Sequence, residues 1–257
     1  MSRIIAVANQ KGGVGKTTTA VNLAAYLSMK KKKVLVIDID SQGNATSGFG
    51  LDKNEQENTV YDLLLGDATV GECIVKNVMP NVDIIPANEN LAAIEVELVN
   101  VDGRDYKLKK EIDYVKLQYD FIIIDCPPAL NTQTLNALTT ATEVILVVQC
   151  EYLALEGLGS MINTLNLIRE RMNPRLALSG IVFTMYDKRT ALSMQVVEEV
   201  TKKLGNVFHI YETKIPRNVR LAEAPSFGQP ICMYDSSSAG AEAYRALADE
   251  VIKRKDV

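Results

Sequence analysis

Arg3 to Ala20, RIIAVANQKGGVGKTTTA, decides the fold. An apolar run, Ile4 to Ala8, ends at Asn9-Gln10. A glycine-rich turn follows, Lys11-Gly12-Gly13-Val14-Gly15, and then Lys16-Thr17-Thr18 opens a helix. Strand, glycine turn and helix in that order are what a phosphate-binding P-loop needs. Glycines let the backbone bend with its N–H groups inward, forming a nest for phosphate oxygens. The helix N-terminus adds the positive end of its dipole. In this geometry Lys16 reaches the β- and γ-phosphates, and the Thr17 hydroxyl is placed to bind Mg²⁺. The usual pattern is G-x-x-x-x-G-K-[ST]. Here Gln10 replaces the first glycine and an additional lysine, Lys11, stands at the mouth of the loop, so the motif is a deviant form. A lysine so close to its own loop can point away from its own phosphate and serve a facing subunit, which predicts a two-fold dimer.

Two further apolar runs end in acids. Val34 to Ile37 is followed by Asp38-Ile39-Asp40-Ser41-Gln42-Gly43-Asn44, and Phe121 to Ile124 by Asp125-Cys126-Pro127-Pro128. Fully apolar strands are those of a parallel sheet covered on both faces, and ligands bind at the carboxyl ends of such strands. Asp125 reads as a Walker B carboxylate that holds Mg²⁺ directly or through water. Asp38 and Asp40 form a second acidic pair. One of them can order the metal's water shell and the other the attacking water, and the residues alone do not assign the roles.

Periodicity predicts helices over Thr18–Met29, Val60–Leu65, Val70–Lys76, Leu91–Val99, Lys107–Leu117, Thr132–Thr140, Leu155–Arg171, Leu192–Leu204 and Ala239–Arg254. Strands are predicted over Val82–Pro86, Glu143–Val148, Leu178–Thr184 and within Val207–Ile215. The alternation argues for an α/β fold: a single-domain P-loop NTPase spanning residues 1–257, with a mostly parallel central sheet and helices on both faces.

The 28 basic and 32 acidic residues give a net charge of −4, which excludes a wholly basic nucleic-acid binder but not a local basic patch. Lys30 to Lys33 read as a solvated helix end. Cys73, Cys126, Cys150 and Cys232 show no C-x-x-C spacing, which argues against a zinc site and for reduced thiols in a cytoplasm. The single histidine, His209, cannot found a histidine metal cluster. Neither a signal peptide nor an apolar run of membrane-spanning length is expected.

KGGVGKTTTAVNLA, VLVIDIDSQGNATSG, FIIIDCPPAL, VQCEYLALEGL and IPRNVRLAEAPSFGQPI occur in that order. Together they resemble the ParA/Soj chromosome- and plasmid-partitioning ATPases, deviant-Walker proteins of the MinD/ParA group, over nearly the whole chain. The resemblance implies ATP/ADP and Mg²⁺ as ligands. It implies that Lys11 crosses a dimer interface, that Lys16, Thr17 and Thr18 hold phosphate and metal, that Asp40 is needed for hydrolysis and that Asp125 is the Walker B acid. Lys11, Lys16 and Asp40 are therefore the catalytic candidates, and Gly12, Gly13, Val14 and Gly15 join them around the phosphates. Pro216 and Asn218 fall where the family contacts adenine, Arg189 and Arg220 where it contacts DNA, and Glu151 in a segment facing the other subunit. The implied cycle is an ATP-dependent homodimer that binds double-stranded DNA without sequence preference. A ParB/Spo0J-type centromere-binding protein then stimulates hydrolysis, at a cytoplasmic, nucleoid-associated location and without a membrane. Ser41 stands where the family usually has proline. The P-loop begins at the terminus, with no room for the helix-turn-helix extension of larger plasmid relatives, so operator-specific repression is not expected.

Two other classes compete. A MinD-like membrane-cycling ATPase needs a terminal amphipathic helix with a basic face. The stripe Tyr244, Leu247, Ala248, Val251 and Ile252 reads instead as core-facing, with only Lys253, Arg254 and Lys255 beyond it. A reductase with an iron–sulfur cluster bridging a dimer needs placed cysteine ligands, whereas Cys126 and Cys150 read as small buried residues. A small-molecule kinase is a third class, but no acceptor pocket can be read.

Overall fold

The computed structural model describes residues 2–254. The first half of the chain runs β1 (Arg3–Ala8), α1 (Lys16–Met29), β2 (Val34–Asp38), α2 (Asn44–Gly48), α3 (Val60–Leu65), α4 (Val70–Cys73), β3 (Val75–Met79), β4 (Val82–Ile85), α5 (Ile94–Glu97), α6 (Lys107–Val115) and β5 (Phe121–Asp125). It continues with α7 (Thr132–Thr140), β6 (Glu143–Gln149), α8 (Ala154–Arg171), β7 (Ala177–Tyr186), α9 (Ala191–Leu204), β8 (Ile210–Pro216), α10 (Val219–Glu223), α11 (Ile231–Tyr234) and α12 (Ala239–Lys253). Lys255 lies outside the described residues.

The eight strands form one sheet in the order β3-β4-β2-β5-β1-β6-β7-β8. Every neighbouring pair is parallel except β3–β4. Strand β1 is central, and alternate residues feed opposite faces. Ile4, Ala6 and Ala8 join one core with α3, α6, α7 and α8, while Ile5 and Val7 join the other with α1 and α12. The core strands are continuous apolar runs because both faces are covered. Helix α1 is buried nearly all round, wedged between the sheet and α12. This explains why its sequence shows a broad apolar surface rather than a stripe.

Two predicted elements are corrected. Leu91–Val99 is a 3₁₀ segment over Glu89–Ala93 running into the short α5 rather than one α-helix. Val70–Lys76 is not a single helix: α4 stops at Cys73, and Val75 begins β3. A capping box between Thr69 and Glu72 starts α4. The following segment then forms a hairpin with β4, turning at Pro80-Asn81 with Asn81 left-handed at φ 63°. Two β-branched runs separated by a Pro-Asn turn were the local signal. The pairing is bulged, with Asn77 also left-handed at φ 55°. At the opposite edge, the Glu250 carboxylate on α12 accepts the N–H groups of Glu212 (2.8 Å) and Thr213 (2.9 Å) on β8.

Candidate functional site

The carboxyl ends of β1, β2, β5 and β7 meet at the P-loop. Asn9 fixes its entry, donating from Nδ2 to the Val147 carbonyl (2.7 Å) and accepting the Lys11 N–H (2.9 Å). Thr184 at the end of β7 holds its far side, donating to the Val14 carbonyl (2.7 Å). Gly13 and Gly15 are left-handed, at φ 73° and 92°. A side chain at either position would strain the turn that aims the N–H groups inward. Gly15 is also the N-cap of α1, with no side chain capping the helix, so the first N–H groups remain available to an anion.

Lys16 is 6% exposed, and its Nζ donates to the Lys11 carbonyl (2.9 Å). Burial pulls this ammonium below the usual lysine range, and the nearby Asp125, Cys126 and Asp40 groups partly offset the shift. The two acidic strand ends are direct neighbours, with Asp38 paired in register with Asp125. Asp125 is fully buried, and among the described residues neither carboxylate oxygen has a well-aligned hydrogen-bond donor, although the Thr17 hydroxyl lies close enough to act on it. Burial first and the Asp38 charge second raise its carboxyl well above the usual range, while the Thr17 hydroxyl and the Lys16 ammonium pull the other way. A buried carboxylate without well-aligned donors, beside a threonine hydroxyl and a second acid, is a donor set that fits a divalent cation. Thr17 and Asp125, the residues expected to meet a metal, are brought together in this set.

Asp38 is committed differently. Its Oδ2 accepts both the N–H and the hydroxyl of Thr46 on α2 (2.8 Å each), and its Oδ1 accepts the Asp40 N–H (3.2 Å). Burial pushes its pKa up to about 6 despite these donors. Asp40 is half-buried and uses one oxygen, Oδ1, to accept the Gln42 N–H (3.0 Å). Asp38 therefore shapes the loop that Asp40 presents. Asp38→Ala is expected to leave the Thr46 and Asp40 donors unpaired, a loss of about 3 kcal/mol net of the relieved buried charge. A thermal melt should show Tm lowered by roughly 6–12 °C, and an unchanged Tm would mean the loop is held some other way.

Lys11 leans out of the loop, half-exposed, and pairs with Glu151 of the same chain. Exposed Tyr152 and Leu153 follow Glu151, and exposed Leu130 shares a small cavity with Gln10. The mouth of the P-loop is thus rimmed by apolar side chains open to solvent.

Beside the loop lies a cavity of about 390 Å³, walled by Val14, Thr184, Met185, Ile215, Pro216 and Asn218. Asn218 caps α10, its Oδ1 accepting the Leu221 N–H (3.3 Å), which leaves its Nδ2 for a ligand. A mostly apolar slot with a few polar groups suits a planar heterocycle. Pro216 and Asn218 both line it. Met185 and Arg217 line it too and escaped the sequence reading, since nothing local marks Met185 except its structural setting at a left-handed φ of 50°. Arg189 follows β7 and Arg220 sits on α10, so both leave the segments that wall this cavity. Burial raises the thiols of Cys126 and Cys150, the latter to about 11, opposite to the thiolate a metal cluster requires. Among the described residues, no helix is long and apolar enough to cross a membrane.

Three comparisons bear on this geometry. The family described as AAA domain matches residues 2–178. The "Sporulation initiation inhibitor protein Soj" of Bacillus subtilis (strain 168) is 52% identical over 251 residues, covering 98% of each chain. The "Chromosome partitioning protein ParA" of Caulobacter vibrioides (strain NA1000 / CB15N) is 46% identical over 255 residues, covering 98% of this chain and 95% of its own. Among solved structures, a Mycobacterium smegmatis protein described as cobyrinic acid a,c-diamide synthase, with bound ADP and magnesium, superposes with a TM-score of 0.86. It is 36% identical, with 98% of this chain and 95% of that chain covered.

Proposed function

The chain belongs to the Soj/ParA family of chromosome-partitioning ATPases, and on that footing we propose a specific cycle: ATP closes two subunits face to face, the dimer binds duplex DNA, and hydrolysis releases it. Residues 1–257 act as one unit in this cycle. The observation that carries the reading is the position of Lys11. It stands outside its own phosphate cradle, tethered by Glu151 and rimmed by exposed Leu130, Tyr152 and Leu153. A cation placed there reaches a phosphate across a two-fold interface once Glu151 releases it, and the apolar rim supplies the surface to be buried.

Within each subunit, the geometry and the family resemblance together support the following roles. The N–H groups of residues 12–15 and the start of α1 hold the phosphates. Lys16 exchanges the Lys11 carbonyl for a phosphate oxygen. Thr17 and Asp125 would hold Mg²⁺, with Thr18 beside them. When bound, the ion neutralises charge on the phosphate oxygens. Asp40 orients the attacking water with the oxygen that Gln42 leaves free, and Lys11 of the facing subunit stabilises charge developing on the γ-phosphate. Pro216 and Asn218 seat adenine in the cavity. Arg189 and Arg220 touch DNA phosphates, so binding is independent of sequence. A ParB/Spo0J-type protein accelerates hydrolysis, and the dimer is found on the nucleoid in the cytoplasm.

The test is binding to random-sequence duplex DNA across a salt series, with ADP and with a slowly hydrolysed ATP analogue. Binding only with the analogue, weakening steeply with salt, is expected, and Arg189→Ala and Arg220→Ala should each reduce it. A protein that dimerises on the analogue yet ignores DNA in both states would sink the DNA reading. Capture by anionic liposomes in that case would point to a membrane-cycling ATPase.

A further inference from the structure

The two arginines assigned to DNA are already occupied. Arg189 has a side chain 84% exposed, and its guanidinium grips Asp187 as a fork, with Nε to Oδ1 at 2.9 Å and Nη2 to Oδ2 at 2.7 Å. The Arg189 N–H adds a third bond to Oδ1 (3.0 Å). The Asp187 backbone is itself fixed, its N–H donating to the Ser193 hydroxyl on α9 (3.4 Å). Arg220 on α10 is held by two carboxylates rather than by a single fork. Its Nη1 donates to Glu223 Oε2 (2.9 Å), and its Nε lies 3.5 Å from Asp235 Oδ2. The Tyr234 hydroxyl donates to the same Glu223 oxygen (3.1 Å), anchoring that carboxylate.

We propose that Asp187, together with Glu223 and Asp235, acts as a built-in substitute for DNA phosphate: these carboxylates keep Arg189 and Arg220 oriented but electrically neutral until a duplex displaces them. The proposal rests on the reading of Arg189 and Arg220 as DNA contacts. A guanidinium fork accepts carboxylate and phosphate oxygens in the same planar, two-bond manner. At Arg189 the exchange therefore preserves the guanidinium's two-bond geometry while the Asp187 carboxylate swings aside. Pairs this exposed are weak, whereas duplex DNA presents one negative charge per roughly 1.7 Å of axis. The arginine side chains remain open to solvent, so a phosphate can approach while the carboxylate is still in place.

The charge balance gives the arrangement its consequence. In a chain of net charge −4, a neutralised arginine adds nothing to long-range attraction for DNA and little to counterion release. A single subunit then binds weakly, and only an assembly that offers several such arginines to one duplex overcomes the internal competition. Asp187 holds its charge throughout, because the Arg189 fork depresses its pKa to about 2. The pairing also borders the base cavity. Asp187 lies two residues beyond Met185, and the Arg217 N–H donates to the Tyr186 carbonyl (3.2 Å). The segment that contacts the nucleotide is thus continuous with the one that restrains Arg189.

The experiment measures affinity for random-sequence duplex DNA across a salt series, with the slowly hydrolysed ATP analogue. It compares the wild type with Asp187→Asn, Asp187→Glu, Arg189→Ala and the double variant Asp187→Asn/Arg189→Ala. Asp187→Asn is expected to tighten binding on the order of tenfold near 0.1 M salt. It should also steepen the log–log salt slope by up to about 1.8, since two cations are freed per dimer at roughly 0.9 each. Asp187→Glu should return both values toward the wild type, and the asparagine should give no gain when Arg189 is absent. Glu223→Gln should act in the same direction through Arg220. If Asp187→Asn bound equally or more weakly while Arg189→Ala lost affinity, the carboxylate would be an aid to DNA binding and the proposal would fail. A gain of equal size in the Arg189→Ala background would reduce Asp187 to a general repulsive charge and overturn it as well. Wild-type affinity in Arg189→Ala would instead refute the DNA role of Arg189 itself.

Discussion

Lys16→Ala is expected to remove ATP turnover, lowering it at least 100-fold, and to weaken nucleotide binding to the point where calorimetry records little heat. The side chain is almost wholly inside the protein and projects into the loop whose N–H groups form the cradle. A cation at such a site works in a low-dielectric, pre-organised setting, where one donor contributes roughly 10²–10³ in rate. The balancing charges are also on the protein, since Asp125 and Asp40 are near enough to raise its pKa. Without Lys16 those carboxylates would face a polyphosphate with less to offset them. The fold should survive, because among the described residues the Lys16 side chain donates to one carbonyl, that of Lys11. A thermal melt close to wild type, alongside lost turnover, is the expected pair of results. Wild-type affinity for ATP would refute the phosphate-site assignment.

Asp40→Ala should separate binding from chemistry. Turnover is expected to fall on the order of 10²-fold or more, with ATP affinity and ATP-dependent dimerisation retained, as read by single-turnover hydrolysis and light scattering. The reasoning turns on which acid has an oxygen to spare. Asp38 has its oxygens engaged by Thr46 and the Asp40 N–H. Asp40 spends one on Gln42 and keeps the other. A carboxylate on a loop pinned by a buried neighbour is positioned to orient water with little reorganisation. The paired outcomes make the division sharp, since Asp38→Ala should change Tm and Asp40→Ala should change rate. Unaltered hydrolysis in Asp40→Ala would remove it from the reaction.

Much of this site was legible from local sequence because each part has a local cause. A glycine turn between an apolar run and a helix start identifies the P-loop, and an apolar run ending in Asp125 marks a strand end at the sheet's ligand side. What lay hidden depends on neighbours distant in sequence. That Asp38 and Asp125 stand side by side follows from β2 pairing with β5, which no spacing reveals. The structural duty of Asp38 needs Thr46, carried by a five-residue helix too short to show periodicity. That Asp38 is engaged by Thr46 and Asp40 is visible only in the structure, whereas the preference for Asp40 in hydrolysis came from the family resemblance. Met185 and Arg217 line the cavity beside the P-loop only because β7 and β8 are adjacent. The segment 70–76 went wrong for a different reason: its valine, isoleucine and cysteine fit a helix and a strand equally over so short a window, and the neighbouring hairpin decided the outcome.

The two margins of the sheet carry a further consequence. An open sheet can ordinarily recruit another strand through its unpaired backbone groups, the route by which soluble proteins stack into fibrils. Here one margin is a bulged antiparallel hairpin bearing exposed Lys76, and at the other Glu250 already occupies backbone donors of the last strand. Neither margin is a flat template for strand addition. Under the proposed cycle, copies gathered at high local density on duplex DNA would benefit from that closure. Crowded copies would then meet through side chains and loops rather than through backbone pairing at the sheet edges, and such contacts yield to solvent and salt.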